Sequence, residues 1–253
     1  MRRAAGRAAC APCVAEAGRE IEEEIDAPAL RLRSARMLAA ATRVVVPAAD
    51  VAARLTRHFP ALRPEVHPWE ETFVAATPAA IPPAAGVLRV VLAGAIGVEK
   101  GYRRLLACAL DARARDLPLA FTVVGVTTGD EALLATGKVF ITGDYQPAEA
   151  VALIARQGGA LGFLPSVVPE TWCYTLSELW RAGLFVVAFD LGAQAERIRA
   201  SGRGLLLGLD LPAPAVNNAL LHAAEIAARS TRFTDPLDTA REIHRPSSKS
   251  LPL

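Results

Sequence analysis

Pro165-Ser166-Val167-Val168-Pro169-Glu170-Thr171-Trp172-Cys173-Tyr174-Thr175-Leu176-Ser177-Glu178 decides how the rest of the chain is read. An apolar run ending at Phe163-Leu164 passes through this loop into a helical pattern that stops before Gly183. Pro165 and Pro169 keep the loop out of helical backbone angles, and Thr171 is the expected N-cap. Glu170 then stands at the helix start and Glu178 about two turns inside it. Between the two carboxylates, the backbone N–H groups of Cys173, Tyr174 and Thr175 belong to a helix N-terminus, where unbonded donors and the macrodipole favour an anion.

Outward from this stretch, short apolar runs alternate with helical patterns. Residues 88–94, 119–125, 138–143, 160–165, 184–189 and 204–207 read as strands. Residues near 100–115, 130–136, 147–158, 174–182, 193–200 and 213–229 read as helices. This is the pattern of an α/β, doubly wound parallel sheet, Rossmann-like. Ligands of such sheets collect at the carboxyl ends of the strands, where Gly94, Gly125, Gly143 and Pro165 are expected to fall.

The sequence before Leu88 differs. Helical patterns near 14–25 and 29–41 precede a strand at 43–47 and a helix at 49–59. The expected organisation is a partial N-terminal domain remnant (1–67), a proline-rich linker (68–86), the alternating α/β domain (87–229) and a poorly ordered polar tail (230–253). Arg7 interrupts the apolar region behind Arg2-Arg3, which argues against a signal peptide. No apolar run reaches the length of a transmembrane segment. The 253 residues are 52% hydrophobic, enough for a sizeable core. With 28 basic and 26 acidic residues the net charge is +2, and nothing points to nucleic acid.

Gly94-Ala95-Ile96-Gly97-Val98-Glu99-Lys100-Gly101 forms a second candidate anion contact, a glycine loop between strand and helix whose Lys100 can neutralise phosphate. It lacks the spacing and Ser/Thr of a P-loop, and Gly202-Arg203-Gly204 follows a helix, the wrong context for a dinucleotide fingerprint. No Asp-x-Asp pair is present, so no metal and no cofactor is expected. Cys10-Ala11-Pro12-Cys13 has the spacing of half a zinc or redox site, but the other half is missing. His58, His67, His222 and His244 have no Ser, Cys or Asp pattern around them that would mark a triad.

The Glu, seven residues, Glu stretch, followed by Gly183, the apolar 186–189 run and the glycine-containing turn 190–196, resembles the nucleotide-sugar signature of family-four, retaining glycosyltransferases of GT-B fold. The resemblance covers 139–207 best and implies the C-terminal, donor-binding half of that fold. Residues 44–59 resemble the last strand and helix of its N-terminal domain, and the proline-rich segment its hinge. It implies an enzyme of hexosyltransferase type in bacterial carbohydrate biosynthesis, cytoplasmic, transferring sugar from a nucleoside diphosphate to an unidentified glycan, lipid or protein acceptor; peripheral membrane contact is left open. This chain alone would bind donor but transfer inefficiently.

On the same warrant, Glu178 would accept from ribose hydroxyls and Glu170 from the transferred sugar, with Glu170 and Lys100 as catalytic residues. Gly97, Lys100 and the N–H groups of Cys173, Tyr174 and Thr175 would meet the diphosphate, and Tyr145 would border the base. The family commonly carries Arg five residues before Lys100, where this chain has Ala95. Bland roles fit the same residues: Glu170 as a helix N-terminal charge, Glu178 and Lys100 as solvated side chains, Trp172, Tyr174 and Tyr145 as packing aromatics. A non-catalytic nucleotide-sugar-binding or interaction module, or a truncated gene product, is the alternative function.

Overall fold

The structure, a computed structural model, describes residues 10–18, 22–69, 86–159 and 161–232. The chain divides into two compact units, Met1–Glu71 and Thr72–Leu253.

In the first unit, α1 (Cys10–Ala17) and α2 (Ala27–Ala40) precede a small βαβ turn of β1 (Val45–Val46), α3 (Ala49–His58) and β2 (Glu65–Val66). The two strands pair in parallel, with Arg43 donating to both carboxylate oxygens of Glu65 beside them. Glu65-Val66 was not expected as a strand. The helix expected over 14–25 instead occupies Cys10–Ala17, and residues 22–26 are irregular because Asp26 caps α2, accepting from the Ala29 N–H at 2.7 Å. Val46 and Ala48 are buried, while Leu32 and Met37 of α2 stay exposed.

The second unit contains β3 (Leu88–Ile96), α4 (Tyr102–Ala114), β4 (Leu119–Thr127), α5 (Asp130–Leu134), β5 (Val139–Ile141) and a 3₁₀ turn (Pro147–Glu149). These are followed by α6 (Ala150–Arg156), β6 (Leu161–Leu164), α7 (Tyr174–Arg181), β7 (Phe185–Phe189), α8 (Gly192–Ser201), β8 (Gly204–Leu207) and α9 (Ala213–Arg232). Six parallel strands run in the order β5-β4-β3-β6-β7-β8. This is the doubly wound α/β sheet that the alternation implies. The strands are nearly continuous apolar runs because both faces are covered. Val90 and Leu92 turn to one side, against Leu105 and Cys108 of α4 and Leu220 of α9. Val91 and Ala93 turn to the other, against Ile154 of α6, Leu176 and Leu179 of α7 and Ile198 of α8. Asn217 ties α9 to α4, its Nδ2 donating to the Cys108 carbonyl and to Asp111, each at 2.8 Å.

Several boundaries differ from expectation. β3 and β4 run two residues past Gly94 and Gly125, which lie opposite each other in register. α9 extends to Arg232, into the segment expected as tail, while 233–253 and 70–85 of the linker lie outside the described residues. No described helix is long and apolar enough to cross a membrane.

Candidate functional site

The strand order reverses between β3 and β6, so the loops that follow these two strands diverge on either side of one crevice. The loop after β3 is residues 97–101; the loop after β6 is residues 165–173. They are stitched together by backbone. The Val167 N–H donates to the Glu99 carbonyl at 2.9 Å, and the Ser166 hydroxyl donates to it at 3.3 Å. Gly101, at φ +91°, turns directly under Pro165: a Cβ added there would lie 2.0 Å from the Pro165 carbonyl oxygen. Only glycine suits both the backbone angle and the approach.

That stitching brings together two residues separated by 70 positions. Lys100 Nζ donates to Glu170 Oε2 at 2.7 Å, with the lysine side chain 46% exposed and the carboxylate 14%. Glu170 is held from its other side by α8. Its N–H donates to Gln194 Oε1 at 3.3 Å, and its carbonyl accepts from the Ala193 N–H at 3.0 Å. Gly192 permits this contact, since an added Cβ would lie 2.7 Å from the Glu170 nitrogen.

The helix start differs from the expected one. Cys173, not Thr171, is the N-cap of α7, and it makes no side-chain capping bond. Cys173 is a non-glycine residue in the left-handed region, at φ 69°, and it is buried. Burial, with the Glu170 carboxylate second, pushes its thiol up to about 12. The thiol is therefore neutral at ordinary pH and is no nucleophile. Strained non-glycine backbone of this kind costs about 1–3 kcal/mol and is held by its surroundings. Here the surroundings are Arg197 of α8. Its Nη1 donates to the carbonyls of Trp172 and Cys173 at 3.0 and 2.9 Å, its Nη2 donates to Ser177 Oγ at 2.7 Å, and its guanidinium stacks 3.9 Å from the Trp172 ring centroid.

Other expected site residues gather around this start. Thr175 Oγ1 stands over Gly94, 3.7 Å from where a Cβ would be. Tyr145 packs beside the core cluster that contains Cys173 and Leu176. Burial, then the Glu178 and Asp144 carboxylates, raises its phenol above the ordinary value, so Tyr145 and Glu178 are within electrostatic reach of each other. Tyr174 is 54% exposed, whereas Trp172 is buried under Arg197. Gly97 lies beside Thr128 and Glu99 rather than against Glu170. Ala95 is exposed near the end of β3. Lys138, the other lysine among the described residues, donates to the Leu117 carbonyl, which leaves Lys100 as the lysine of the crevice.

The arrangement brings Lys100, Glu170 and the α7 N-terminus together at a switch-point crevice. No protein-family model and no curated protein sequence matches the chain. Solved structures do. Anabaena HepE in complex with UDP superposes with a TM-score of 0.60 at 18% identity, covering 88% of this chain and 68% of HepE. The six-stranded parallel sheet with its flanking helices is Rossmann-like and matches that of GT-B glycosyltransferase neighbours. A glycosyltransferase from Rickettsia africae ESF-5 matches with a TM-score of 0.59 at 14% identity over 87% of this chain and 67% of its own. Sucrose-phosphate synthase from Thermosynechococcus elongatus matches with a TM-score of 0.59 at 18% identity over 91% of this chain and 63% of its own. The chain thus spans about two thirds of the length of these neighbours.

Proposed function

We propose that this chain is the donor-binding half of a retaining glycosyltransferase of family four and hexosyltransferase type. It takes a sugar from a nucleoside diphosphate to an acceptor on a glycan, lipid or protein, in a bacterial cytoplasm and without a metal. The observation that carries the reading is the Lys100–Glu170 pair, because it joins the glycine loop and the α7 start at the switch point of this fold. In the proposed complex Glu178 accepts from ribose hydroxyls, and Tyr145 borders the base. Glu170 accepts from the sugar, and Lys100 turns from Glu170 to the phosphates, above Gly97. Transfer breaks the bond between the anomeric carbon and the diphosphate oxygen, and the electron pair leaves with the diphosphate. Lys100 and the N–H groups of Cys173, Tyr174 and Thr175 stabilise that charge as it develops, while Glu170 faces the positive character left on the sugar. The new bond forms from the acceptor oxygen, whose proton is released.

Calorimetric titration with UDP, GDP and ADP tests the reading, and UDP comes first because HepE was solved with UDP and with UDP-glucose. Binding is expected to raise the melting temperature as well; at ligand 100 times the dissociation constant the gain is about 2.7 kcal/mol. No heat and no stabilisation from any of the three at millimolar concentration overturns it.

Position 95 favours a second reading, a binding module without turnover: the resemblance asks for Arg there, and the chain presents an exposed Ala. Incubation with the best-binding nucleotide sugar and an acceptor panel separates the two. Slow donor hydrolysis or trace glycoside detected by mass spectrometry favours the enzyme half, and binding with neither favours the module.

A further inference from the structure

Arg197 lies outside every motif that the donor reading uses, yet it makes three hydrogen bonds to the α7 start. Its guanidinium reaches from α8 across the end of the 165–173 loop. Nη1 donates to two successive carbonyls, those of Trp172 at 3.0 Å and Cys173 at 2.9 Å, and Nη2 donates to Ser177 Oγ one turn inside the helix at 2.7 Å. Two indoles locate it, with the guanidinium carbon 3.9 Å from the Trp172 centroid and 5.4 Å from that of Trp180. In a planar trans peptide the C=O and the N–H that follows it point in opposite directions, and no peptide bond here is cis. Fixing the carbonyls of Trp172 and Cys173 on Arg197 therefore fixes the N–H groups of Cys173 and Tyr174 facing away from it. It also over-determines the left-handed Cys173 between them, which has no side-chain capping bond of its own.

We propose that Arg197 is the positioning residue of the phosphate contact: it locks the Trp172 and Cys173 carbonyls so that the Cys173 and Tyr174 N–H groups are pre-set for a diphosphate. The inference rests on the donor-site reading and adds to it a residue that touches no ligand. Preorganised donors hold an anion better than donors that must be ordered on binding. A planar, forked guanidinium is suited to this; a lysine ammonium keeps the charge but cannot hold both carbonyls and the hydroxyl while lying flat on Trp172.

The test titrates wild type, R197K, R197M and S177A with UDP, GDP and ADP by calorimetry, and with uridine, guanosine and adenosine by ligand-observed NMR, with thermal melts as a folding control. For the nucleotide that wild type prefers, R197K and R197M should each lose about tenfold or more in diphosphate affinity while nucleoside affinity stays put. S177A, which removes one contact of the fork, should lose less. Should R197M fail to fold, R197K and S177A decide the matter by the same selective loss. Wild-type diphosphate affinity in R197K shows that charge and not geometry matters, and overturns the proposal. Equal loss of nucleoside and diphosphate makes Arg197 a general structural residue, and overturns it too. Absence of binding by wild type itself instead removes the donor-site reading and with it the ground of this inference.

Discussion

The loop after β3 and the loop after β6 meet across the same crevice, but they are held by different means. The first is built from backbone: Gly101 gives it its turn, and the Glu99 carbonyl receives the bonds from the other loop. The second is built from side chains of a distant helix, with Gln194 on Glu170 and Arg197 on Trp172 and Cys173. A backbone-built loop fails all at once when a side chain is forced into it. A clamped loop can lose one contact and keep its course while losing the aim of its polar groups. The two therefore should respond differently to substitution.

Gly101→Ala is the harshest test of this contrast. The new Cβ would meet the Pro165 carbonyl at 2.0 Å with φ at +91°, and neither backbone can yield without breaking the Glu99–Val167 bond. A loss of more than about 3 kcal/mol in chemical denaturation is expected. A variant within 1 kcal/mol of wild type, again by denaturation, would show that the first loop is as adaptable as the second.

Glu178→Gln lies on the clamped side and keeps the size of the side chain. Removing the charge should weaken nucleoside diphosphate binding by roughly 1–3 kcal/mol in calorimetry, with the melting temperature nearly unchanged. Unchanged affinity would return Glu178 to the role of a helix-surface residue.

Cys173 sharpens the comparison, because it adopts a glycine-like backbone in the loop that side chains control. Cys173→Ala and Cys173→Gly lose the same buried sulfur, but only Ala keeps the left-handed strain, so Gly should be the more stable of the two by about 1 kcal/mol. The pair of melts measures how much strain the Arg197 clamp sustains; equal stabilities would mean that it sustains none.

The smallest effect is expected at the join between the loops. Glu170→Gln frees Lys100, which is now engaged with a carboxylate at 2.7 Å, and takes a negative charge away from the phosphate contact. Affinity for UDP without sugar should rise by up to about 1 kcal/mol, roughly fivefold, since the pair is partly solvated. A fall in UDP affinity would mean that Glu170 orders the loop more than it competes for Lys100.

Much of this was legible in the chain. The six strands of the second unit were readable because a parallel sheet covered on both faces demands near-continuous apolar runs, and 88–94 or 184–189 can serve for little else. β2 was not readable, because Glu65-Val66 is two residues long and carries neither alternation nor an apolar run. The N-cap was misplaced because Thr171 has the favoured chemistry, whereas Cys173 takes the position through a backbone angle that its residue type disfavours. Arg197 gave no signal at all: its stacking on Trp172 depends on where α8 crosses the loop, and nothing in the spacing from 172 to 197 announces that.

The sheet, its parallel sense and the neighbourhood of the candidate site were readable in advance, because these follow from local periodicity and from residues near one another in the chain. Which side chains meet was settled by packing alone. Lys100 finds Glu170 because the strand order reverses between β3 and β6, which sets side by side two loops that lie 70 residues apart. Arg197 holds the α7 start because α8 packs across it. Contacts across such distances depend on the close packing of elements against one another, and no local pattern encodes them.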